Sequence, residues 1–345
     1  MAPPRLRRLL EIRSPTLRAL VGLALGAAAV WVILQFVDPV NVWAILTDAR
    51  PDMVVLSVPL VLAHYLAVGY RFSAFYQVFA DDVPEHVLVR AGIVSSAVNR
   101  AIGFAGVVVT ALRIAVVKRW GGLANDVVAA TMLNQVLSAT ISVLLTLMGL
   151  VYTFGLPTVV LTPIRALFTA WGLLLMAIVI SAILVASPLG QALSRAAQRL
   201  QQLVMSGPMG EGIENLRLTL ADGVRLMRDD PPRLAGLTAL LFLEAMASVA
   251  TLYMAFWAIG DPLSPGLILL AYGAAGVAKS ISMVPGNLGL QEGSMAGVLA
   301  WLGIPWEQGV AGVLLFRALV DWAPALLLLP LAWGLGRPRG PASAS

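Results

Sequence analysis

The stretch "SMVPGNLGLQEGSMAG", residues 282–297, holds one proline, four glycines and the carboxylate of Glu292 between two apolar runs. Proline and glycine both disfavour a continuing helix, and a helix broken in lipid is tolerated only where protein or water satisfies the freed backbone groups. The charge sharpens the point. An ionisable side chain at mid-membrane costs about 2.5–3.5 kcal/mol or more, so it marks a polar interior.

The surroundings are membrane-like. Of the 345 residues 59% are hydrophobic and 12% charged, with a mean hydropathy of +0.87. Soluble domains carry about 25% charged residues. Several apolar runs reach the roughly 20 residues that cross a hydrocarbon core. The fold class is an all-α polytopic membrane protein. There is no cysteine, and the two histidines, His64 and His86, show no ligand spacing. No disulfide, metal or other cofactor is expected. The net charge of +5 is read as topology-setting arginines beside spans, and nucleic acid is not expected as a partner.

Full spans are predicted at 18–37, 52–71, 126–153, 163–186, 234–260 and 309–335. The stretches 91–112 and 265–303 are ambiguous, and Lys and Arg placement decides them. The tail 1–17 carries Arg5, Arg7, Arg8 and Arg13 and is cytoplasmic, leaving 38–52 outside. If 91–112 crossed, Arg113, Lys118 and Arg119 would lie outside, so it is expected to enter and fold back. The segment 187–233, rich in arginine, lies inside. Residues 213–227 repeat apolar side chains at helical spacing, which fits either an amphipathic surface helix or a cytoplasmic helical hairpin. For Arg337 and Arg339 in the tail 337–345 to be inside, 265–303 must also be re-entrant, opened from the other face. The unit "span, hairpin, span" then occurs at 52–153 and 234–335 in opposite orientation, an inverted repeat within a transmembrane domain of 18–336. Gly103 and Gly106 echo Gly286 and Gly289 at an offset of 183, as Asn134 does Arg317.

The candidate functional residues are the intramembrane charges: Arg100, Arg113, Glu244, Lys279, Glu292, Arg317 and Asp321. Glu292 either caps the half-helix after the break or faces a polar cavity. Arg317 and Asp321, four apart, either pair along their own helix or leave Arg317 free to meet Glu292. Pro324 lies where it can kink that helix. Asn99, Arg100 and Arg113 flank the first hairpin, where a guanidinium fork suits a phosphate headgroup. Interfacial snorkelling is the alternative. His64 with Tyr65 and Tyr70 reads as a packed or interfacial cluster, and Asn134 and Gln135 as interhelical glue.

The run from Ser282 to Pro324 resembles the lysylphosphatidylglycerol synthase transmembrane, or flippase-like, family. Its core is Pro285, Gly286, Gly289 and Glu292, then Leu302-Gly303-Ile304-Pro305, then Arg317 and Pro324. The first half matches less well: Asn99, Gly103, Gly106 and Arg113 are present, but Val107 stands where an acidic residue is expected. The resemblance implies an inner-membrane protein of bacterial type that binds a lipid or moves it between leaflets, and the arginine placement makes both termini cytoplasmic. Its partner is a membrane lipid with a phosphate-containing headgroup. The alternative is a membrane-embedded enzyme or accessory subunit acting on lipid-linked sugar or in phospholipid biosynthesis, for which Asp81-Asp82 is the one acidic pair near a hairpin. Family members that aminoacylate lipid carry a soluble synthase domain. None lies within these 345 residues, so aminoacyl transfer is not expected.

The topology has a direct test. A single cysteine at Gly210 in this cysteine-free chain is expected to resist an impermeant thiol reagent added to intact cells. Labelling from outside contradicts the assignment.

Overall fold

The computed structural model describes residues 38–102, 107–154, 225, 229–281 and 289–328. The expected spans 18–37 and 163–186, most of the segment 187–233, the tails, and Gly103, Gly106, Pro285 and Gly286 lie outside the described residues. Among the described residues every regular element is helical. In chain order these are α1 (Pro39–Thr47), α2 (Pro51–Tyr76), α3 (Glu85–Ile102), α4 (Val107–Lys118) and α5 (Ala124–Phe154). After residue 229 come α6 (Pro231–Ala258), α7 (Pro265–Ile281), α8 (Leu290–Trp301) and α9 (Trp306–Arg317). The last continues through a π-helical turn, Ala318–Trp322, to Leu328.

Four helices are long and apolar enough to cross a membrane: Pro51–Tyr76, Ala124–Thr153, Pro231–Ala258 and Trp306–Leu328. They correspond to the four predicted spans that fall on described residues. The hairpin 91–112 is longer than expected. Its arms run from Glu85 to Lys118, and only residues 77–84 separate it from α2, which continues to Tyr76.

Helices α2 and α6 are antiparallel. The Arg50 amide donates to the Ala258 carbonyl at 2.8 Å at one end, and Arg233 donates to the Gln77 carbonyl at the other. These ends give the bundle two poles. At the Tyr76 pole, Phe72 and Tyr76 of α2, Val87 and Leu88 of α3, Val116 and Val117 of α4 and Val127 of α5 form one cluster. Both feet of the α3–α4 hairpin are therefore at that pole. At the Ala258 pole, Val42 of α1, Ala296 of α8 and Val310 and Ala311 of α9 pack with Ile259 and Trp306. The α7–α8 hairpin starts beside Ile259 and ends beside Trp306, so its feet lie at the Ala258 pole.

Small residues let α5 and α7 meet along their backbones, as expected where lipid supplies no hydrophobic drive between helices. A Cβ added to Gly273 would sit 2.5 Å from the Thr146 amide nitrogen. One at Gly149 would sit 2.5 Å from the Cα of Leu270, and Gly266 lies against Tyr152. The ascending numbers on α7 meet descending numbers on α5, so these helices too are antiparallel. Outward-facing Leu56, Leu62, Leu66, Leu147 and Leu243 are exposed, as lipid-facing side chains are. Trp43, Trp257 and Trp301 are exposed near the Ala258 pole and Trp120 near the other, the placement of interfacial aromatics.

The glycine seam yields a paired prediction. Gly273→Ala is expected to destabilise the fold by about 1–3 kcal/mol, the usual cost of overpacking. Gly236→Ala, in α6 with open space around its Cβ, is expected to be neutral or to stabilise by up to about 1 kcal/mol. Unfolding midpoints in detergent check both.

Candidate functional site

The centre of the bundle holds a three-residue charge cluster. Arg317 is 2% exposed, Asp321 5% and Glu292 8%. Gly289 adopts φ 77°, a left-handed conformation that glycine takes without penalty, and starts α8. Glu292 is then in the first turn of α8, where its Oε2 accepts the Gly289 amide at 2.9 Å. Its Oε1 accepts from the Arg317 Nη1. The Arg317 Nε donates to the Asp321 Oδ2 at 2.9 Å. Each alternative raised by the sequence is thus present at once. Glu292 caps its helix and faces Arg317, and Arg317 pairs both along its own helix and across to α8. In this cluster one guanidinium faces two carboxylates.

The helix around Arg317 is distorted for a reason visible in the sequence. Pro324 has no amide to donate to the Val320 carbonyl four residues earlier. The turn Ala318–Trp322 is π-helical, and the Ala323 amide bonds to the Ala318 carbonyl. The Tyr65 hydroxyl donates to the Val320 carbonyl at 3.0 Å. Tyr65 lies near the middle of α2, about 17–21 Å from either end at 1.5 Å per residue, which sets this centre at mid-height.

A second centre lies in the first hairpin. Arg113 of α4 is 5% exposed. Its Nε donates to the Ser95 Oγ at 2.9 Å, its Nη2 approaches the Ser96 Oγ at 3.5 Å, and its guanidinium carbon is 4.2 Å from the centre of the Phe72 ring. Beside it Arg71 of α2 forms an ion pair with Glu244 of α6. His64, 1% exposed, is bonded through Nδ1 to the Ser248 Oγ at 2.9 Å. It joins α2 to α6.

The candidates therefore divide. Glu292, Arg317 and Asp321 form one centre, and Arg113 with Glu244 belong to the other. Asn99 lies on α3 one turn beyond Ser95 and Ser96. Lys279 is exposed in the last turn of α7. The Asn134 Oδ1 finds no hydrogen-bond partner, and Gln135 is exposed, so the glue expected of this pair is not made by either atom. Sequence reading missed the functional neighbours Arg71, Phe72, Ser95 and Ser96. Arg71 falls at the end of the predicted span 52–71, where an arginine reads as a topology signal, and a serine pair in a hairpin carries no signal of its own. Among the described residues no group of three His, Asp or Glu side chains is arranged to hold a metal.

Long apolar helices, glycine-mediated packing and a charged interior define a polytopic α-helical integral membrane protein. Residues 19–327 match the family described as the lysylphosphatidylglycerol synthase TM region, and the chain belongs to it. No curated protein matches the chain. The family is a membrane domain of a lipid-related class, as the resemblance at Pro285–Pro324 implies.

The charge centre predicts coupled energetics. Removing one member of a buried pair leaves an uncompensated charge at about 3–5 kcal/mol. Glu292→Gln and Arg317→Met are each expected to lower stability on that scale, and the double variant by less than their sum. Additivity within about 0.5 kcal/mol in a double-mutant cycle contradicts the coupling.

Proposed function

We propose that the chain binds a lipid, or a lipid-linked headgroup, and moves it between leaflets. The observation that carries this reading is the pair of hairpins footed at opposite poles, with the Glu292–Arg317–Asp321 centre at mid-height between the second hairpin and the last helix. A polar group buried that deep between broken helices is the arrangement of transporters built on inverted repeats. On this reading α2–α5 and α6–α9 are the two repeats, the Tyr76 pole is cytoplasmic, and each hairpin is re-entrant. The antiparallel course of α2 and α6, the first helices of the two units, supports it. So does their equal layout, with α4 and α8 both 12 residues long.

The headgroup travels past the charged centres while its acyl chains stay in lipid. Glu292 and Asp321 attract a cationic headgroup or hold Arg317 between turnovers. The reading of an enzyme acting on lipid-linked sugar draws less support. Its acidic pair is Asp81-Asp82, and the Asp82 Oδ1 accepts the Tyr76 hydroxyl at 2.7 Å, a tie that secures the foot of the first hairpin.

Reconstitution into liposomes with headgroup-labelled lipids, and chemical quenching of the outer leaflet, tests the proposal. The protein is expected to accelerate exchange, and Glu292→Gln to reduce the rate by about tenfold or more, the factor given by about 1.4 kcal/mol. Exchange no faster than in protein-free vesicles, for cationic, zwitterionic and anionic lipids alike, overturns it.

A further inference from the structure

Among the described residues three arginines reach the interior, and their surroundings differ. Arg317 has two carboxylates and Arg71 has Glu244. Arg113 has two serine hydroxyls and an aromatic ring, all uncharged. The charges that reach it from the packed helices are Arg71, which repels it, and Glu244, which attracts it but is already paired with Arg71. Among the described residues, two guanidiniums and one carboxylate give this centre a formal charge of +1. A buried cation without a counter-charge is costly, so the centre is electrostatically incomplete.

We propose that Arg113 is the core of an oxyanion site that takes a phosphate group. The Nε is engaged by Ser95 and the ring of Phe72 covers one face. Among the described residues the Nη1 has no bond and the Nη2 only a stretched one, so the in-plane edge they form is available for bidentate recognition. Ser95 is spent, since its hydroxyl donates to the Gly92 carbonyl at 3.2 Å. Ser96 is less buried and keeps its hydroxyl proton, so it opens the edge toward solvent and adds a donor. Arg113 lies five residues before Lys118, where α4 ends, a depth of about 8 Å at 1.5 Å per residue. At that depth in a bilayer the available anion is phosphate. This deepens the lipid reading by naming the group bound, and it rests on that reading only for the choice between lipid phosphate and free phosphate.

The test is thermal unfolding of the full chain in dodecyl maltoside, which contributes no phosphate. Three probes are titrated at matched ionic strength: dihexanoylphosphatidic acid, dihexanoylglycerol and inorganic phosphate. The phosphatidic acid is expected to raise the midpoint and the neutral glyceride to leave it unchanged. Arg113→Gln is expected to require about tenfold more probe or greater. Arg113→Lys, which keeps the charge and loses the fork, and Ser96→Ala are expected to fall between. These two keep the test decisive if Arg113→Gln does not fold. A shift from phosphatidic acid alone assigns the site to a lipid, and an equal shift from inorganic phosphate assigns it to the free ion; both support the site. No shift from either phosphate, equal shifts from the glyceride, or unchanged affinity in the variants overturns it. Binding that depends on Arg113 in a protein that moves no lipid overturns the translocation reading and leaves the site standing.

Discussion

A guanidinium in a bundle core is costly unless its charge is matched, and Arg317 at 2% exposure sets the terms for its neighbourhood. Glu292 can reach it only because α8 begins where it does. That start requires Gly289 at φ 77°, a conformation disfavoured in residues with a Cβ. Asp321 reaches it from one turn along the same helix, across a π-helical stretch rather than a regular one. Pro324 supplies the break, and Tyr65 from α2 takes up the carbonyl it frees. Three helices, α2, α8 and α9, thus meet around one cation. The proline-glycine stretch at 282–297 and the proline at 324 are two parts of the same construction.

Helix α2 connects the two polar centres. Phe72 and Arg71 serve the Arg113 centre; His64 and Tyr65, about two turns earlier, reach Ser248 and Val320. Such a helix is apolar outward and polar inward, with Leu62 and Leu66 exposed and His64 and Tyr65 buried. The centres are not copies of each other. In the second, Glu292 rides on the hairpin itself. In the first, Val107 begins α4 where the family resemblance calls for an acid, and the nearest carboxylate is Glu244 from α6, already held by Arg71.

Much of this was legible because membrane insertion writes large signals. Apolar length placed the starts of four spans to within three residues, and arginine placement put both feet of each hairpin at one pole before any contact was known. The Glu292–Arg317–Asp321 set was legible because buried charges are few. What could not be read were contacts between residues with no pattern in sequence. Arg71 and Glu244 are 173 positions apart, and a lone arginine at a span end looks like a topology signal whether or not it bends inward. Ser95, Ser96 and Ser248 are too common to stand out. Helix α1 escaped as well, since nine residues ending in Thr47 are too short for a span.

The arms of the second hairpin are held by different physics, which matters for reading any charge substitution there. Helix α7 lies on α5 through Gly149, Gly266, Gly273 and Gly276, where backbones touch and no charge takes part. That contact is van der Waals packing, indifferent to pH and salt. Helix α8 also packs Met295 and Leu299 into the core, but its N-terminal turn is secured by Glu292, between its own Gly289 amide and Arg317. Neutralising Glu292 therefore weakens the hold on the start of α8 while leaving the α7 seam untouched. An effect of Glu292→Gln that spreads to the α5–α7 contacts has to pass through the core in which α7 packs against Met295 and Leu299 of α8, and one confined to α8 and α9 identifies the ion pair as the local tether.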